Sequence, residues 1–464
     1  MTQQLLETIS PVDQSVYTTR PLADDATVKH AVTLAKQAQQ QWRETPLTQR
    51  QAICEKAVQY FEQHQVQIAE EISWQMGRPI AFSAGEIGGV AERARHMITI
   101  APSALADVSP PQKTGFTRFI RRDPLGVVLT VAPWNYPLLT TVNSVFPALL
   151  AGNSVLLKPS AQTPLSGEHF IKAFSQAGLP DGVLQCLFLS HQATSDLVAS
   201  GDVDFVCFTG SVGAGKHIEK AAAGTFIGLG LELGGKDPAY VRHDADLAYT
   251  VEQLVDGAFF NSGQSCCGIE RIYVDKSLFN EFVEAFVDLT KNYRLGDPLD
   301  PETNLGPVVK IAAADWVRKQ ISEAQASGAK AWINESDFPL SAKSTPYLAP
   351  QVLTNVDHSM SVMTQESFGP VVGIMAVEDD RQALQLMNDS DLGLTASIWT
   401  ENEDAALALA DKLETGTVFM NRCDYLDPAL PWTGVKNTGR GETLSNLGFD
   451  QLTRAKSYHL KTVK

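Results

Sequence analysis

The chain has 464 residues, of which 53 are acidic and 37 basic, giving a formal net charge of −16 at pH 7. A field of that sign repels phosphate backbones and anionic lipid, which argues against nucleic acid as a partner. The length predicts one or two large domains with substantial buried cores, and a hydrophobic fraction of 44% is typical of a globular chain.

Two apolar stretches, residues 126–137 and 146–157, hold about a dozen residues each, which is too short to span a bilayer. Residues 1–20 show neither a charged leader before an apolar core nor an Arg-rich amphipathic pattern, so we expect a cytoplasmic protein that is not integral to a membrane. The six cysteines lack metal-ligand spacing and are too sparse for a disulfide scaffold. We therefore expect reduced thiols and no metal site.

The N-terminal hundred residues are predicted to be helical, with helices at 24–42 and 51–71. From Gly126 onward, short β-branched runs alternate with helical patterns, which favours parallel strands joined by crossover helices. The runs that predict strands are at 127–131, 154–157, 203–208 and 227–233.

A second α/β unit is predicted further along the chain, from strands at 271–274, 371–376 and 397–400 and helices at 277–293 and 380–388. Two outlying strands, at 116–122 and 456–463, could pair as an arm that packs on another subunit.

Three polar residues stand where a reaction could be catalysed. Cys266 directly follows the glycine-bearing turn NSGQS, where its backbone amide can face a reacting oxygen. Glu232 ends an apolar strand, where loss of solvation raises a carboxyl pKa and makes a usable base. Asn135 lies between Pro133 and Pro137 and could donate its amide to an oxyanion. Taken singly, they also fit an ordinary buried thiol, a surface carboxylate and a rigid turn.

A glycine-rich segment, GSVGAG at 210–215, follows a strand and opens a helix, so its backbone amides can face a pyrophosphate. Residues 210–216 also fit the start of a nucleotide-triphosphate loop, but His217 stands where Ser or Thr must hold magnesium. The segment therefore favours a dinucleotide over a phosphotransferase substrate.

Further motifs follow in order, namely LKPS at 157–160, QTP at 162–164, FTGS at 208–211 and ESFGP at 366–370. Together with the segments around Asn135, Glu232 and Cys266, they resemble the motifs of the aldehyde dehydrogenase superfamily. The resemblance runs from about Pro11 to the C-terminus.

The resemblance implies an α/β protein with two Rossmann-like parallel-sheet domains and a small β oligomerisation arm. Residues 1–104 and 124–234 would form the dinucleotide-binding domain, residues 235–435 the catalytic domain, and residues 105–123 and 449–464 the arm. It also implies a homodimer or a homotetramer.

The resemblance implies a mechanism that agrees with the chemistry of the three residues. The Cys266 thiolate would attack a small-molecule aldehyde, and the Asn135 side chain and the Cys266 backbone N–H would hold the oxyanion. Hydride would pass to NAD or NADP, leaving a thioester that water, activated by Glu232, would hydrolyse to the carboxylic acid. Activation of the thiol is assigned by the resemblance to Lys158 or to the cationic nicotinamide ring.

The resemblance also assigns binding residues. The cofactor residues would be Trp134, Lys158, Ser160 and Ala161 near the adenine and ribose, Gly210, Ser211 and Gly215 beside the pyrophosphate, and Glu366 and Phe368 at the nicotinamide ribose. The substrate tunnel would be lined by Tyr136, Thr140, Phe260, Tyr425, Leu426 and Trp432. This mainly apolar set favours an aliphatic or aromatic aldehyde.

Departures from the family pattern affect both cofactor and substrate. Ala161 stands where many NAD-preferring relatives carry a Glu that would repel a 2′-phosphate, so either NAD or NADP is expected. Asn143 stands where relatives that oxidise semialdehydes carry an Arg for the distal carboxylate, which argues against such a substrate. Arg422 could substitute for that Arg, although a salt bridge with Asp424 is the simpler expectation.

Near the C-terminus, the family's Gly-Arg-Glu is replaced by Arg440-Gly441-Glu442-Thr443, so Glu442 is a doubtful proton shuttle. Three alternatives to hydrolytic oxidation of an apolar aldehyde stay open. They are a semialdehyde dehydrogenase, a dehydrogenase that passes the acyl group to coenzyme A, and a structural protein on the same fold. Acylating relatives usually lack the Glu that Glu232 supplies, and a structural protein would be expected to lose Cys266, Glu232 or Asn135.

Overall fold

A computed structural model describes residues 4–462. Its strands, in chain order, are β1 (Leu5–Ile9), β2 (Val16–Pro21), β3 (Phe116–Pro124), β4 (Val127–Val131), β5 (Ser154–Lys158), β6 (Leu184–Cys186), β7 (Phe205–Thr209), β8 (Gly228–Glu232), β9 (Asp237–Val241), β10 (Ile269–Asp275), β11 (Lys330–Ala331), β12 (Gln351–Thr354), β13 (Val371–Val377), β14 (Leu392–Gly393), β15 (Thr395–Trp399), β16 (Thr417–Met420), β17 (Val435–Lys436), β18 (Gly439–Arg440) and β19 (Thr453–Lys461).

The α-helices are α1 (Asp25–Trp42), α2 (Leu47–Gln63), α3 (Gln65–Met76), α4 (Ile80–Ser83), α5 (Gly85–Ala104), α6 (Val142–Ala151), α7 (Pro164–Ala177), α8 (His191–Ala199), α9 (Val212–Ala222), α10 (Leu247–Phe259), α11 (Phe279–Thr290), α12 (Ile311–Ala326), α13 (Ser361–Thr364), α14 (Asp380–Asn388), α15 (Glu403–Ala410) and α16 (Ser445–Gln451). Two short 3₁₀ turns lie at Phe260–Gly263 and Glu335–Asp337.

The first sheet has six strands in the order β18-β8-β7-β4-β5-β6. All neighbouring pairs are parallel except β18 with β8, which is antiparallel. Every residue of β4 and β5 is buried, because helices cover both faces of the sheet. The four strands predicted in this region are confirmed as β4, β5, β7 and β8, whereas β18 lies in a segment that the predicted domain boundaries left unassigned.

The second sheet has seven strands in the order β11-β12-β13-β10-β9-β15-β16, and only β11 runs antiparallel to its neighbour. The strands predicted from 271, 371 and 397 are confirmed as β10, β13 and β15, and the two predicted helices as α11 and α14. The first sheet's parallel strands span residues 127–232 and the second sheet's strands span residues 237–420. The exact domain boundaries stay predictions.

The N-terminal region departs from the predicted run of helices in two places. Strands β1 and β2 form an antiparallel hairpin that was not predicted. The single helix predicted over 51–71 is two helices, because His64 leaves helical geometry at φ −105° and ψ 16°. The carbonyl of Tyr60 there accepts hydrogen bonds from both the backbone N–H and the ring Nδ1 of His64.

The predicted outlying strands pair as expected. Strands β3 and β19 form a two-stranded antiparallel ribbon in which Thr453 faces Pro124 and Lys461 faces Phe116. The end of the predicted second strand, Val463, lies outside the described residues. Contact of this ribbon with another subunit stays a prediction.

No helix within residues 4–462 is long and apolar enough to cross a membrane. All six cysteines are free thiols. The same range contains no cluster of three or more His, Cys, Asp or Glu side chains that could hold a metal ion.

Candidate active site

Cys266 is positioned by a strained turn that follows α10. Asn261 and Ser262 both adopt left-handed backbone conformations, with φ of 52° and 57°. Gly263 follows with φ of 70°, and a Cβ there would lie 2.4 Å from the carbonyl oxygen of Gly369. Only glycine fits at that point, because the chain must turn there against another loop. The turn therefore places Cys266 just before β10, the strand of the second sheet that begins at Ile269.

The two adjacent cysteines have different surroundings. Cys266 is half-buried and lines a cavity of about 430 Å³, whereas Cys267 is buried and its Sγ donates to Asp424 Oδ1 at 2.9 Å. The contact with Cys266, burial and the Asp424 charge raise the pKa of the Cys267 thiol well above its ordinary value. Both thiols line the cavity, but the Cys267 thiol is committed as a donor to Asp424, and Cys266 is the more exposed of the two.

Asn135 is buried in the loop that follows β4. Its side-chain Nδ2 donates to the backbone carbonyl of Gln264 at 3.1 Å, two residues before Cys266. An amide nitrogen carries two hydrogens, so one remains for a ligand beside the nucleophile. The structure thus brings the predicted oxyanion donor to the turn that holds the predicted nucleophile.

Arg78 connects these segments and was not identified from the sequence. Its side chain is 2% exposed and forms an ion pair with Glu86 of α5 at 2.5 Å. It also donates to the side chain of Asn261 at 3.1 Å and to the backbone carbonyl of Asn135. Its guanidinium stacks on the ring of Tyr136, with Cζ 4.5 Å from the ring centroid. Only its position between a glycine and a proline in an otherwise apolar region marked it in the sequence.

Glu86 extends the same network to the start of α6. Its Oε1 accepts from the backbone N–H groups of Leu138 and Leu139 at 2.7 and 3.0 Å. The loop between β4 and α6 is therefore fixed from both sides, by Arg78 at Asn135 and by Glu86 beyond it.

Glu232 lies at the end of β8 and lines the same cavity as Cys266. It accepts from Thr443 Oγ1 at 2.5 Å and from Thr209 Oγ1 at 3.1 Å. Burial raises the pKa of its carboxyl, and the two hydroxyl bonds and the charge of Arg93 oppose that rise. The residue of this C-terminal segment that contacts Glu232 is therefore Thr443, which follows Glu442, the residue considered as a proton shuttle.

The cavity brings together all the predicted substrate residues, which come from four separate parts of the chain: Tyr136, Thr140, Phe260, Tyr425, Leu426 and Trp432. Its wall is more polar than the apolar tunnel predicted from them. Charged side chains also line it, namely Arg78, Glu86, Glu92, Arg93, Asp256, Glu232 and Asp424.

The expected salt bridge between Arg422 and Asp424 is wrong. The Arg422 guanidinium stacks on the ring of Tyr425, with its Cζ 3.5 Å from the ring centroid. Asp424 instead accepts from Ser265 Oγ and Cys267 Sγ, both at 2.9 Å, and burial raises the pKa of its carboxyl. The Ser265 hydroxyl and the Cys267 thiol, and not the Arg422 guanidinium, are thus the donors to Asp424.

The predicted cofactor residues collect at the carboxyl ends of the parallel strands of the first sheet, where open α/β sheets bind ligands. Lys158 ends β5 and is buried, which lowers the pKa of its ammonium group. Trp134 follows β4, and Ser160 and Ala161 follow β5, where Ser160 is half-buried and Ala161 is exposed. Ser211 caps α9 by accepting from the backbone N–H of Ala214 at 3.3 Å.

The two glycines around that cap have different surroundings. A Cβ on Gly210 would lie 2.8 Å from the ring of Phe208, and one on Gly215 would lie 2.5 Å from the side chain of Leu233. Both glycines therefore permit close packing of the turn and of α9. The space beside Gly213 is open, so the first backbone N–H groups of α9 are accessible to a phosphate.

Glu366 and Phe368 approach from the loop before β13. Glu366 Oε1 accepts from the backbone N–H of Gly235 at 3.1 Å, and burial raises its pKa to about 8. Phe368 meets Trp134 edge to face at 5.5 Å between ring centroids. The loop is held by Glu270, which accepts from the N–H groups of Ser367 and Phe368.

Glu270 is itself paired with Lys236 at 2.5 Å, and both side chains are buried. This pair was not identified from the sequence, because Lys236 directly precedes β9 while Glu270 lies in β10, and neither motif predicts the other. Through Glu270, the pair supports the loop of Glu366 and Phe368, the residues predicted to contact the nicotinamide ribose.

Comparison with known families covers almost the entire chain. The model of the "Aldehyde dehydrogenase family" matches residues 1–458. The chain belongs to this family. The predicted enzyme class and fold are confirmed by this match and by similar structures.

Two curated relatives differ in the aldehyde that their names give. Vanillin dehydrogenase of Corynebacterium glutamicum is 31% identical over 450 residues, covering 96% of this chain and 92% of its own. Succinate semialdehyde dehydrogenase [NAD(P)+] Sad of Escherichia coli is 31% identical over 443 residues, covering 96% and 95%. Family membership therefore does not by itself identify the substrate of this aldehyde dehydrogenase.

Two similar solved structures contain a dinucleotide. PnpE in complex with nicotinamide adenine dinucleotide matches with a TM-score of 0.94 and 30% identity, covering 99% of this chain and 94% of that chain. The NADP-dependent glyceraldehyde-3-phosphate dehydrogenase from Bacillus halodurans C-125, complexed with NADP, matches with a TM-score of 0.93 and 31% identity, covering 99% and 96%. These are the two cofactors predicted from the sequence.

Replacing Arg78 with Met should lower the free energy of unfolding by about 3–5 kcal/mol, because it leaves the Glu86 carboxylate buried and unpaired. Chemical denaturation followed by fluorescence would measure the loss. The double variant Arg78→Met/Glu86→Leu should recover part of the stability but not the catalytic rate, since the Asn135 loop stays unsupported. A single variant as stable as the wild type would contradict the assigned role of the ion pair.

Proposed function

We propose that this aldehyde dehydrogenase oxidises an aldehyde to the carboxylic acid by the hydrolytic route, with NAD or NADP as the hydride acceptor. The observation that carries the proposal is the meeting of the Cys266 thiol and the Glu232 carboxyl on one cavity of about 430 Å³. A nucleophile and a base on the same cavity can serve the two successive halves of such a reaction.

In the first half, the Cys266 sulfur attacks the carbonyl carbon and the aldehyde oxygen becomes an oxyanion. The free hydrogen of Asn135 Nδ2 and the backbone N–H of Cys266 are the donors assigned to it. Asn135 is suited to this role because its loop is fixed by Arg78 before any substrate arrives, so little reorganisation is needed.

The residues at the carboxyl end of the first sheet fit a nicotinamide dinucleotide. The open start of α9 would hold the pyrophosphate, Lys158, Ser160 and Trp134 the adenosine half, and Glu366 and Phe368 the nicotinamide ribose. When bound, the dinucleotide supplies the hydride acceptor for oxidation of the tetrahedral adduct on Cys266.

In the second half, Glu232 removes a proton from water, which attacks the thioester on Cys266; the C–S bond then breaks, releasing the carboxylic acid and the Cys266 thiolate. A carboxyl with a pKa raised by burial is a stronger base than an exposed one, and the Thr443 and Thr209 hydroxyls orient it. The presence of this base favours water over coenzyme A as the acyl acceptor. The intact set of Cys266, Glu232 and Asn135 likewise argues against a purely structural protein.

The residues of the cavity wall limit the class of aldehyde that can bind. The rings of Tyr136, Phe260, Tyr425 and Trp432 favour an aldehyde with a carbon chain or ring, as predicted for an apolar substrate. Arg93, on the same wall, favours a second candidate, an aldehyde with an anionic end. Cytoplasmic location and a homodimer or homotetramer stay predictions.

Replacing Cys266 with Ala should abolish aldehyde-dependent formation of NADH or NADPH, measured at 340 nm, because the neighbouring Cys267 thiol donates to Asp424 and its pKa is raised well above the ordinary value. The matched control is Cys186→Ala, since Cys186 is remote from the cavity and burial raises its pKa to about 12. Turnover retained by the Cys266 variant would rule out this nucleophile.

Replacing Glu232 with Gln should leave one burst of reduced cofactor per active site while lowering steady turnover by roughly 100-fold or more, because deacylation loses its base. In the wild type, burial raises the Glu232 pKa, so turnover should fall as the pH drops through a value above that of an ordinary glutamate. The variant should lose this acid limb. A normal steady rate in the variant would refute the assignment.

Replacing Ala161 with Glu should reduce kcat/KM for NADP far more than for NAD, because a carboxylate beside Lys158 and Ser160 would repel a 2′-phosphate. Ala161 is exposed, so the side chain can be added without disturbing the core. The variant Ala161→Gln adds similar bulk without charge and separates the two effects. An unchanged ratio of the two kcat/KM values would show that this position does not select the cofactor.

A further inference from the structure

Arg93 is a buried cation on the cavity wall that lacks an anionic partner. Its side chain, on α5, is 6% exposed, and it donates to the backbone carbonyl of Leu139 at 2.7 Å and to Asn143 Oδ1 at 3.3 Å. Both acceptors are neutral. Across residues 4–462, no carboxylate lies within ion-pairing distance of its guanidinium. A buried arginine is ordinarily paired, because taking its charge out of water is costly.

A second unsatisfied group lies directly beside it. Asn143 is 2% exposed, and its Nδ2 is buried without a hydrogen-bond partner among the described residues. Leaving such a buried donor unpaired is unfavourable, because it has lost its hydrogen bonds to water. Arg93 holds the oxygen of this amide, so the unpaired nitrogen is presented on the other side, and both residues line the cavity that contains Cys266.

The carboxylates around the cavity act on Arg93 without forming an ion pair with it, and the strongest of these charges is that of Glu232. Arg78 and Glu86 satisfy each other, and the carboxyl oxygens of Glu232 accept from Thr443 and Thr209. Burial lowers the pKa of Arg93, but a guanidinium keeps its proton near neutral pH. Glu92, Asp256 and Asp424 add acidic side chains to the wall, and Arg93 is the cation that contacts Asn143.

We propose that Arg93 and Asn143 form an anion subsite that binds the distal carboxylate of the aldehyde, and this inference rests on the proposed oxidation at Cys266. The Nε and Nη2 groups of Arg93 donate to no described residue, and a guanidinium fork matches a carboxylate. The Asn143 Nδ2 supplies the third donor. The substrate class is accordingly an aldehyde with a carboxylate at its other end.

This assignment reverses the expectation drawn from Asn143. The sequence lacks an arginine at that position, but a guanidinium from α5, fifty residues earlier in the chain, contacts the Asn143 side chain. Arg422, the substitute considered from the sequence, stacks on Tyr425 instead. The cation is therefore supplied from a different element.

The test compares succinate semialdehyde with butanal, which has a similar carbon chain and no charge. The wild type should have the higher kcat/KM for succinate semialdehyde. Arg93→Gln should lower that value by roughly 10- to 100-fold, mainly through KM, and leave kcat/KM for butanal nearly unchanged. The control is Arg95→Gln, on the same helix but exposed and paired with Glu55 and Glu62 at the surface, which should change neither value.

Equal losses of kcat/KM for both aldehydes in Arg93→Gln would overturn the proposal, because they would mean that Arg93 acts through the reaction centre or the fold and not on the distal carboxylate. An unchanged kcat/KM for both aldehydes in this variant would also overturn the proposal. If this variant does not fold, Asn143→Leu and competitive inhibition of the wild type by succinate provide the same comparison. Inhibition that is absent in the wild type, or unchanged in Asn143→Leu, would overturn the subsite.

Failure of the proposed oxidation gives a different result. A wild type that reduces neither NAD nor NADP with either aldehyde would refute the oxidation. Calorimetric binding of succinate to the wild type, and its weakening in Asn143→Leu, would still report whether the anion subsite exists.

Discussion

The buried ion pair between Arg78 and Glu86 is the interaction on which the geometry of the site depends. Arg78 contacts the Asn135 loop and the turn that precedes Cys266, while Glu86 holds the backbone at the start of α6. These segments belong to different sheets and to a helix of the N-terminal region. Since neither charge is exposed to water, each depends on the other to remain in place. The proposed oxyanion donor, Asn135, and the proposed nucleophile, Cys266, are thus positioned by one network.

Burial then gives chemically similar groups different roles. Cys267 donates to Asp424 and has a raised pKa, whereas its neighbour Cys266 is the more exposed thiol on the cavity that both line. Glu86 is committed to Arg78, but Glu232 accepts only hydroxyl bonds, so it stays available as a base. Arg78 and Arg93 differ in the same way, because only the former has a carboxylate partner. Each functional assignment follows from which partner a group already has.

The sequence predicts the strands and crossover helices well, because β-branched runs and helical periodicity are local properties. It also predicts the residues that meet in the cavity, through ordered motifs whose members lie far apart. It fails where a function depends on contacts between distant segments without a motif. Arg78, Arg93 and the Lys236–Glu270 pair are charged residues whose burial and partners exist only in the folded chain. The helix break at His64 is missed for a related reason, since the local apolar spacing continues through it.

The most direct test of the central claim is a search for the covalent intermediate. The Glu232→Gln variant, mixed with aldehyde and the oxidised cofactor and quenched in acid within a second, would be digested and its peptides analysed by mass spectrometry. We expect one acyl group on the peptide that contains Cys266 and Cys267, with fragmentation locating it on Cys266. An acyl group on Cys267, or an unmodified peptide despite formation of reduced cofactor, would contradict the account.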